Sequence, residues 1–330
     1  MAIPTSILIC TRNRCAHLRD TLRALGSTNV PDFLDPEVVV VDNGSTDSTG
    51  EVLADPPVSN MPVRSVLEPK AGVARARNTA LGAARGHILL WLDDDVHVPS
   101  NWMAPMTRPI IKGATDAVAG KVVLAPHLSR PWMEPFHRTT LATTEGINPN
   151  EPKNIISANM ALSRSIFQTI EGFDPELGPG GRVGALEDTL FSWQLRKAGY
   201  RIQMVTDAAV EHHFDASRLT RKGFVQAAID RGRSLAYIHY HWLHRGEEHW
   251  THRKGRHQLW RHPYLVLAKR FADVAAYRMR RRFVSLDCPI TRKEFFTIVN
   301  AYRIKQYIEE KSRKRNYKKR GINKVNGVKV

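Results

Sequence analysis

The chain has 330 residues, enough for one large domain or two ordinary ones, and its 42% apolar and 25% charged residues mark a globular rather than a disordered protein. No apolar run approaches the roughly 20 residues that a membrane-crossing helix needs. Three cysteines, Cys10, Cys15 and Cys288, give neither a disulfide framework nor paired metal-ligand spacing.

The net charge of +17 is unevenly placed. Residues 1–215 hold 20 Lys/Arg against 24 Asp/Glu, a balance of −4, whereas residues 216–330 hold 29 against 8, a balance of +21. The split predicts an ordinary catalytic region followed by a surface for an anionic partner. At the start, "MAIPTSILICTRNRC" carries no basic stretch ahead of its short apolar run. We expect no secretory signal there and a reducing, cytoplasmic setting.

Strand-like and helix-like segments alternate through the first 125 residues. "SILICT" (6–11) reads as a strand, and Leu18, Leu22 and Leu25 then share one helical face. "EVVVVD" (37–42) is apolar without alternation, as in a strand buried on both faces. Gly44 permits a turn after it, and Ser45 or Ser48 is placed to cap the next helix, with Glu51 completing a capping box with Ser48. "VRSVLE" (63–68) is a third strand, 71–86 an Ala-rich helix closed by Gly86, and "HILLWL" (87–92) a fourth strand. This order predicts an α/β fold with a mostly parallel sheet flanked by helices.

Residues 126–153 read as an irregular excursion, 154–174 as a strand and short helix, and "PELGPGGRVG" (175–184) as a mobile loop. A helix over 186–199 and a strand over 200–214 follow. Beyond 216 we expect basic helices and a frayed tail, "KSRKRNYKKR" (311–320). The predicted division is 1–215, split into 1–125 and 126–215, and then 216–330.

Ligands of such sheets sit at the carboxyl ends of the strands, and Thr11, Arg12, Asp42 and Asp93 to Asp95 all fall there. Hard cations such as Mg2+ take one or two carboxylates together with substrate phosphate, so D-x-D at a strand end fits a metal that bridges protein and diphosphate. An isolated acidic triplet equally forms a solvated turn. Asp42 suits either a base or ribose contact or a helix cap. Arg75, Arg77 and Asn78 open a helix where the dipole favours phosphate, or where arginines simply face solvent. Glu187 and Asp188 open another helix as dipole partners or as a general base. Of His212 and His213, strand alternation lets only one face the crevice.

Taken in order, "ILICTRNR", "VVVVDNGSTD", "AGVARARNTALGAARG", "LLWLDDDV", "ISANMALSRSIFQTIEGFDPEL", "EDTLFSWQLRKAGYRI" and "AAVEHH" make residues 4–214 resemble the inverting family 2 glycosyltransferases of GT-A fold. The resemblance implies that Thr11 and Arg12 line the base pocket, that Asp42 holds the nucleobase and that Arg77 lies near the nucleotide. It places Asp93 and Asp94 at ribose and diphosphate and makes Asp95, with His212, the ligands of a divalent metal, Mn2+ or Mg2+. Asp188 becomes the catalytic base with Glu187 beside it. The family's usual proline and tyrosine are Cys10 and Arg12 here, and an arginine plane can take the place of an aromatic ring against a base.

The implied partners are a nucleotide-sugar donor, with UDP the commonest in the family, and a glycan or lipid-linked acceptor of cell-surface polysaccharide or glycolipid synthesis. The aromatic and basic residues interleaved over 237–271, with "YRMRRRF" (277–283), suggest an anionic membrane surface at the inner face of the plasma membrane. A solvated helical extension that covers the catalytic region or forms an oligomer interface is an equal reading, and nucleic acid ranks last because no recognition motif accompanies the charge. Two other functions stand against the leading one. One is a nucleotidyltransferase, which calls for a Gly-rich loop after the first strand. The other is a basic binding protein with a degenerate site, which the joint presence of Asp42, Asp93, Asp95 and Asp188 argues against.

Overall fold

The protein is described by a computed structural model over residues 1–145, 147–150, 152, 154–244, 263–283 and 288–317. The interleaved stretch 245–262 and the end of the basic tail, 318–320, lie outside the described residues.

Strands β1 (Ile3–Thr11), β2 (Leu34–Asp42), β3 (Val63–Leu67) and β4 (Ile88–Asp93) form a parallel half-sheet in the order β3-β2-β1-β4. It continues through β7 (Met160–Ser163), β6 (Ala117–Leu124), β8 (Ile202–His212) and β5 (Val96–His97) as one eight-stranded sheet. Beyond β4 the pairing is mixed: β7 runs antiparallel to both β4 and β6, β6 and β8 run parallel, and β5 runs antiparallel to β8. The antiparallel turn-over at β7 was not visible in the sequence, because a four-residue strand carries too little periodicity to report its direction.

Alternate residues of the buried strands feed two cores. Ile7, Ile9, Val38, Val40, Leu90 and Leu92 face α1 (Cys15–Gly26) and α4 (Met103–Ile111). Leu8, Val39, Val41, Leu89 and Trp91 face α3 (Val73–Ala83) and α6 (Glu187–Lys197). Burial on both faces explains why these strands are continuously apolar.

Several local expectations need correction. Ser48 precedes α2 (Thr49–Ala54) but its side chain makes no capping bond, and no capping box with Glu51 forms. Asp47 Oδ1 instead accepts from the backbone N–H and the hydroxyl of Thr49, and its Oδ2 accepts from Cys15 N–H, so one carboxylate ties two loops together. Helix α3 ends at Ala83 rather than at Gly86. A Cβ on Gly86 would stand 2.3 Å from Ser6 N and 2.6 Å from Thr5 C, so this glycine admits close backbone approach at the start of β4. The excursion over 126–153 contains a short helix, α5 (Pro135–Thr140).

The glycine-rich stretch 175–184 is anchored along its length. Pro179 O accepts from Val73 N–H, and Arg182 bonds Glu176 (2.6 Å) and Glu310 (2.6 Å). The second of these carboxylates lies on α9 (Arg292–Lys311), which packs with α7 (Arg221–Tyr237) and α8 (Pro263–Phe283). Residues 312–317 are likewise docked rather than frayed: Tyr317 is buried, Asn316 N–H donates to His241 Nδ1, and Arg315 lies over the Tyr240 ring.

Helix α7 runs into a wide π-helical turn at Ile238–Trp242, which lets Tyr237 and Trp242 both reach Asp174 (2.8 and 2.7 Å). The described part of the C-terminal region thus packs against the sheet, with Phe224, Ala228, Phe295 and Ile298 joining Leu124, Leu128 and Phe214 in one core.

Gly86→Ala should lower stability by about 1–3 kcal/mol, because the methyl group meets rigid backbone rather than a side chain that can turn away. A urea melt of the variant, with unchanged m-value, checks this.

Candidate active site

The carboxyl ends of β1, β2 and β4 open on one crevice, and α6 and β8 bring two more groups of charge to it. Asp93, Asp94 and Asp95 sit side by side, yet the chain turns sharply after β4 and sends each carboxylate to different partners.

Asp94 and Asp95 are both buried. The Arg14 guanidinium spans them, 3.0 Å from Asp94 Oδ1 and 2.6 Å from Asp95 Oδ2, and Thr11 donates its hydroxyl to Asp94 Oδ2 (2.7 Å). Burial, with Asp95 and Asp93 adding, pushes the Asp94 carboxyl up to about 7 against the pull of Arg14 and Thr11. At Asp95 burial also pushes upward, but His212 and Arg14 outweigh it and hold the group ionised.

Asp95 Oδ1 is buried without a hydrogen-bond partner and lies 3.2 Å from His212 Nε2. The Asp93, Asp95 and His212 ligand atoms all fall within 4.8 Å of one another. An orphaned carboxylate oxygen beside a second carboxylate and an imidazole is a donor set that fits a divalent cation. Asp93 therefore belongs with Asp95 and His212 geometrically, as the D-x-D pattern allowed, where the resemblance set it at ribose and diphosphate. His213 turns the other way, stacked on His97 at 3.8 Å, and pairs with Glu211.

The second cluster centres on Arg77, only 5% exposed. Its Nη1 contacts Glu187 (3.0 Å) and Asp188 (2.9 Å), and its Nη2 approaches Asp93 (3.6 Å) and donates to Ser157 Oγ. Ser157 Oγ in turn lies 3.1 Å from Asp93 Oδ1 and 3.1 Å from Asp188 Oδ2, while its backbone N–H also donates to Asp188. Burial, with Glu187 and Asp93 adding, pushes the Asp188 carboxyl up to about 7, although Arg77 and Ser157 pull it down. Leu186, just before α6, holds a left-handed φ of +69°, a conformation costing about 1–2 kcal/mol that aims the helix start, and hence both acids, at Arg77. Gly178 abuts them: a Cβ there would meet Glu187 Cδ at 2.9 Å.

The remaining sequence candidates fall as follows. Asp42 is half-buried, and its Oδ1 accepts from Ser45 N–H (2.9 Å), shaping the turn after β2. Arg12 is exposed. Asn78 is structural, bonded through both amide atoms to the Phe173 backbone, and Arg77 is sunk among carboxylates; of that group only Arg75 stays partly exposed at the α3 N-terminus.

Three participants escaped the sequence reading. Arg14 is turned inward because Asn13 adopts φ +52° and accepts from Thr46 N–H. The "TRNR" stretch offers two arginines but not which one points in. Ser157 stands in "ISANMAL", where only the order of motifs hinted at it. Arg218 lies over the Phe214 ring at 4.6 Å, and Phe214 meets His212 edge-on at 5.0 Å. Asp95 and Asp93 are near enough to act on the charge of Arg218, although among the described residues no carboxylate forms an ion pair with it.

Arg77→Met should destabilise the protein by about 3–5 kcal/mol, because it strands buried carboxylates without their partner. Arg77→Lys should fall between, restoring a point charge without the fork. Denaturant midpoints of both variants read this directly.

Residues 6–171 match the family described as Glycosyl transferase family 2. Among curated proteins, the succinoglycan biosynthesis protein ExoM of Rhizobium meliloti (strain 1021) is 29% identical over 216 residues, 64% of this chain and 67% of that one. Among solved structures, the mannosyltransferase PcManGT from Pyrobaculum calidifontis, in complex with GDP-Man and Mn2+, superposes with a TM-score of 0.59 at 18% identity, over 94% of this chain and 88% of that chain. GalNAc-T7 with UDP, GalNAc and Mn2+ gives 0.50 at 17% identity, over 72% of this chain and 50% of that chain. These likenesses establish the GT-A architecture of the sheet. With its family match covering half of the sequence, including Arg14, Arg77, Asp93 to Asp95 and Ser157 of the two charged clusters, the chain belongs to glycosyl transferase family 2.

Proposed function

We propose that the protein is an inverting, metal-dependent glycosyltransferase that moves a sugar from a nucleotide-diphosphate donor to a hydroxyl of a glycan or lipid-linked acceptor. The observation that carries this reading is Ser157, whose hydroxyl lies 3.1 Å from Asp93 of the cation-binding set and 3.1 Å from Asp188. A base for the acceptor and a seat for the donor's diphosphate thus stand one side chain apart. The ligands of the two similar solved structures, GDP-Man in one and UDP and GalNAc in the other, support a nucleotide-sugar here. UDP is the first nucleotide to test, with GDP and dTDP beside it.

In this reading Thr11, Arg12 and Asp42 border the nucleoside, and Asp93 and Asp94 border ribose and diphosphate. Asp93, Asp95 and His212 would hold Mn2+ or Mg2+, which when bound neutralises charge gathering on the leaving diphosphate. Asp188 accepts the proton of the acceptor hydroxyl as it attacks the anomeric carbon opposite the leaving group. Its side chain is 19% exposed, enough to meet a hydroxyl from the crevice. Glu187 and Arg77 fix its orientation. Arg218 supplies a further cation on the diphosphate side.

Product chemistry of this kind suits cell-surface polysaccharide or glycolipid synthesis. We place the protein peripherally at the inner face of the plasma membrane, held by its basic C-terminal helices. No helix among the described residues is long and apolar enough to cross a membrane.

Calorimetry with UDP, GDP and dTDP, each with and without Mn2+ or Mg2+, tests the donor site. One nucleotide should bind only with metal, and Asp95→Ala should weaken that binding at least about tenfold, one charged contact being worth 1.4 kcal/mol or more. Binding to none of them by folded protein would sink the proposal.

Asp188→Asn should keep donor binding and lose about 10²–10⁴ in kcat. Because a carboxyl near 7 is protonated, and so unable to take a proton, below that pH, wild-type kcat/KM should climb as pH rises through about 7. A profile flat from pH 5 to 8 would remove Asp188 from the role of base.

A further inference from the structure

Helix α8 (Pro263–Phe283) packs inward through Phe271 and Val274, the latter 8% exposed, with Phe271 edge-on to Tyr302 of α9 at 5.6 Å. Its opposite side is apolar too. Tyr264, Leu265 and Met279 are 59%, 48% and 62% exposed, and Ala268, Ala272 and Ala275 lie exposed between them. At about 100° per residue these positions fall within an arc of roughly 120°, a continuous stripe along four turns or more. A stripe of this length with large side chains at both ends is not scattered surface hydrophobicity.

Charge borders the stripe. Exposed Arg278 lies on one side of it, and exposed Lys269 and Arg280 on the other. Over 263–283 the sequence holds six Lys/Arg and one Asp. A second copy of this chain would bring the same positive flanks against one another, which disfavours self-association through this face. A surface that is apolar beneath and negative at its boundary satisfies both features together.

We propose that the outward face of α8 seats the protein on an anionic lipid surface, the apolar stripe entering the boundary between headgroups and acyl chains while the arginines meet the headgroups. The inference rests on the peripheral placement proposed above and assigns it to one helix face. The helix is fixed to the acceptor side of the site. Phe271 packs on Tyr302 of α9, and Glu310 of α9 holds Arg182 of the 175–184 loop, whose Gly178 abuts Glu187. A lipid-linked acceptor would then reach the catalytic carboxylates from the side on which the helix docks.

The test is cosedimentation of the full chain with vesicles of phosphatidylglycerol and phosphatidylcholine, and with phosphatidylcholine alone. The variants are Leu265→Glu/Met279→Glu, which breaks the stripe, and Arg278→Glu/Arg280→Glu, which reverses the flank. Near-ultraviolet circular dichroism and urea midpoints confirm that each is folded, and light scattering gives the oligomeric state.

Wild type should partition onto the mixed vesicles and not onto phosphatidylcholine alone, and each double variant should lose about tenfold or more of that partitioning. Wild-type binding left unchanged in both folded variants would overturn the role of α8 while leaving the peripheral placement standing. Absence of wild-type binding would overturn both. Equal binding to the neutral vesicles would remove the requirement for anionic lipid. A wild-type dimer that the stripe variant converts to a monomer, without vesicle binding by either, would make this face a contact between copies and overturn the proposal.

Discussion

The site depends on one buried cation. Arg77 stands between Asp93 from the end of β4 and Glu187 and Asp188 from the start of α6, and its Nη2 also holds Ser157 from the turn before β7. Three carboxylates at these distances would repel one another in a low-dielectric crevice, and without a guanidinium they would take up protons or move apart. The arrangement does not gain stability over an apolar core of the same shape, since taking four charges out of water is costly. What it does is fix the relative position of four segments that are far apart in the chain. A planar fork with five donors can contact several acceptors at once, and an ammonium cannot hold them in one plane.

The same logic separates three adjacent aspartates into three environments. Asp93 keeps 31% of its side chain exposed and shares Arg77 and Ser157 with Asp188. Asp94, 6% exposed, is taken up by Thr11 and Arg14 and borders on neutrality. Asp95, 2% exposed, stays charged through Arg14 and His212, and still has an oxygen with no hydrogen-bond partner. Identical side chains thus fall on opposite sides of the ordinary carboxylate range because the turn after β4 points them at different neighbours.

Much of this was legible in the sequence, and what was not has a physical reason. Continuous apolar runs located the buried strands, since burial on both faces removes alternation. Asp93 to Asp95 were singled out because the fold class says where strand ends converge, and Asp188 and His212 because the order of motifs resembled the family; the structure brings the four aspartates to Arg77 or Arg14 and His212 to Asp95. Contacts set by one backbone dihedral were invisible: Asn13 at φ +52° decides that Arg14 enters and Arg12 leaves, and no composition rule reports that angle. Burial was invisible too where it reverses a residue's role. Arg77 looked like a phosphate contact on a helix start and is instead consumed by carboxylates, and Asn78 beside it is bonded to Phe173. The glycines and prolines of 175–184 signalled turns correctly but not their anchoring, because the residues that pin them, Val73 and Glu310, lie more than a hundred positions away on either side.

That anchoring also explains the outer charge of the C-terminal region. Residues 216–330 hold only eight acids, and two of them, Glu294 and Glu310, are 1% and 0% exposed. Glu294 accepts from Arg221, and Glu310 accepts from Arg182, Gln306 and His241, whose combined pull outweighs burial and brings its carboxyl down to about 2. These two acids are spent inward, joining the helices to one another and to the loop beside Glu187. Glu310 draws its nearest guanidinium, Arg182 at 2.6 Å, from the part of the chain before residue 216, where the balance of charge is −4. Each acid turned into the packing in this way leaves the surface charge of the region more strongly positive, an effect of how the helices are held together that adds to the excess of lysine and arginine.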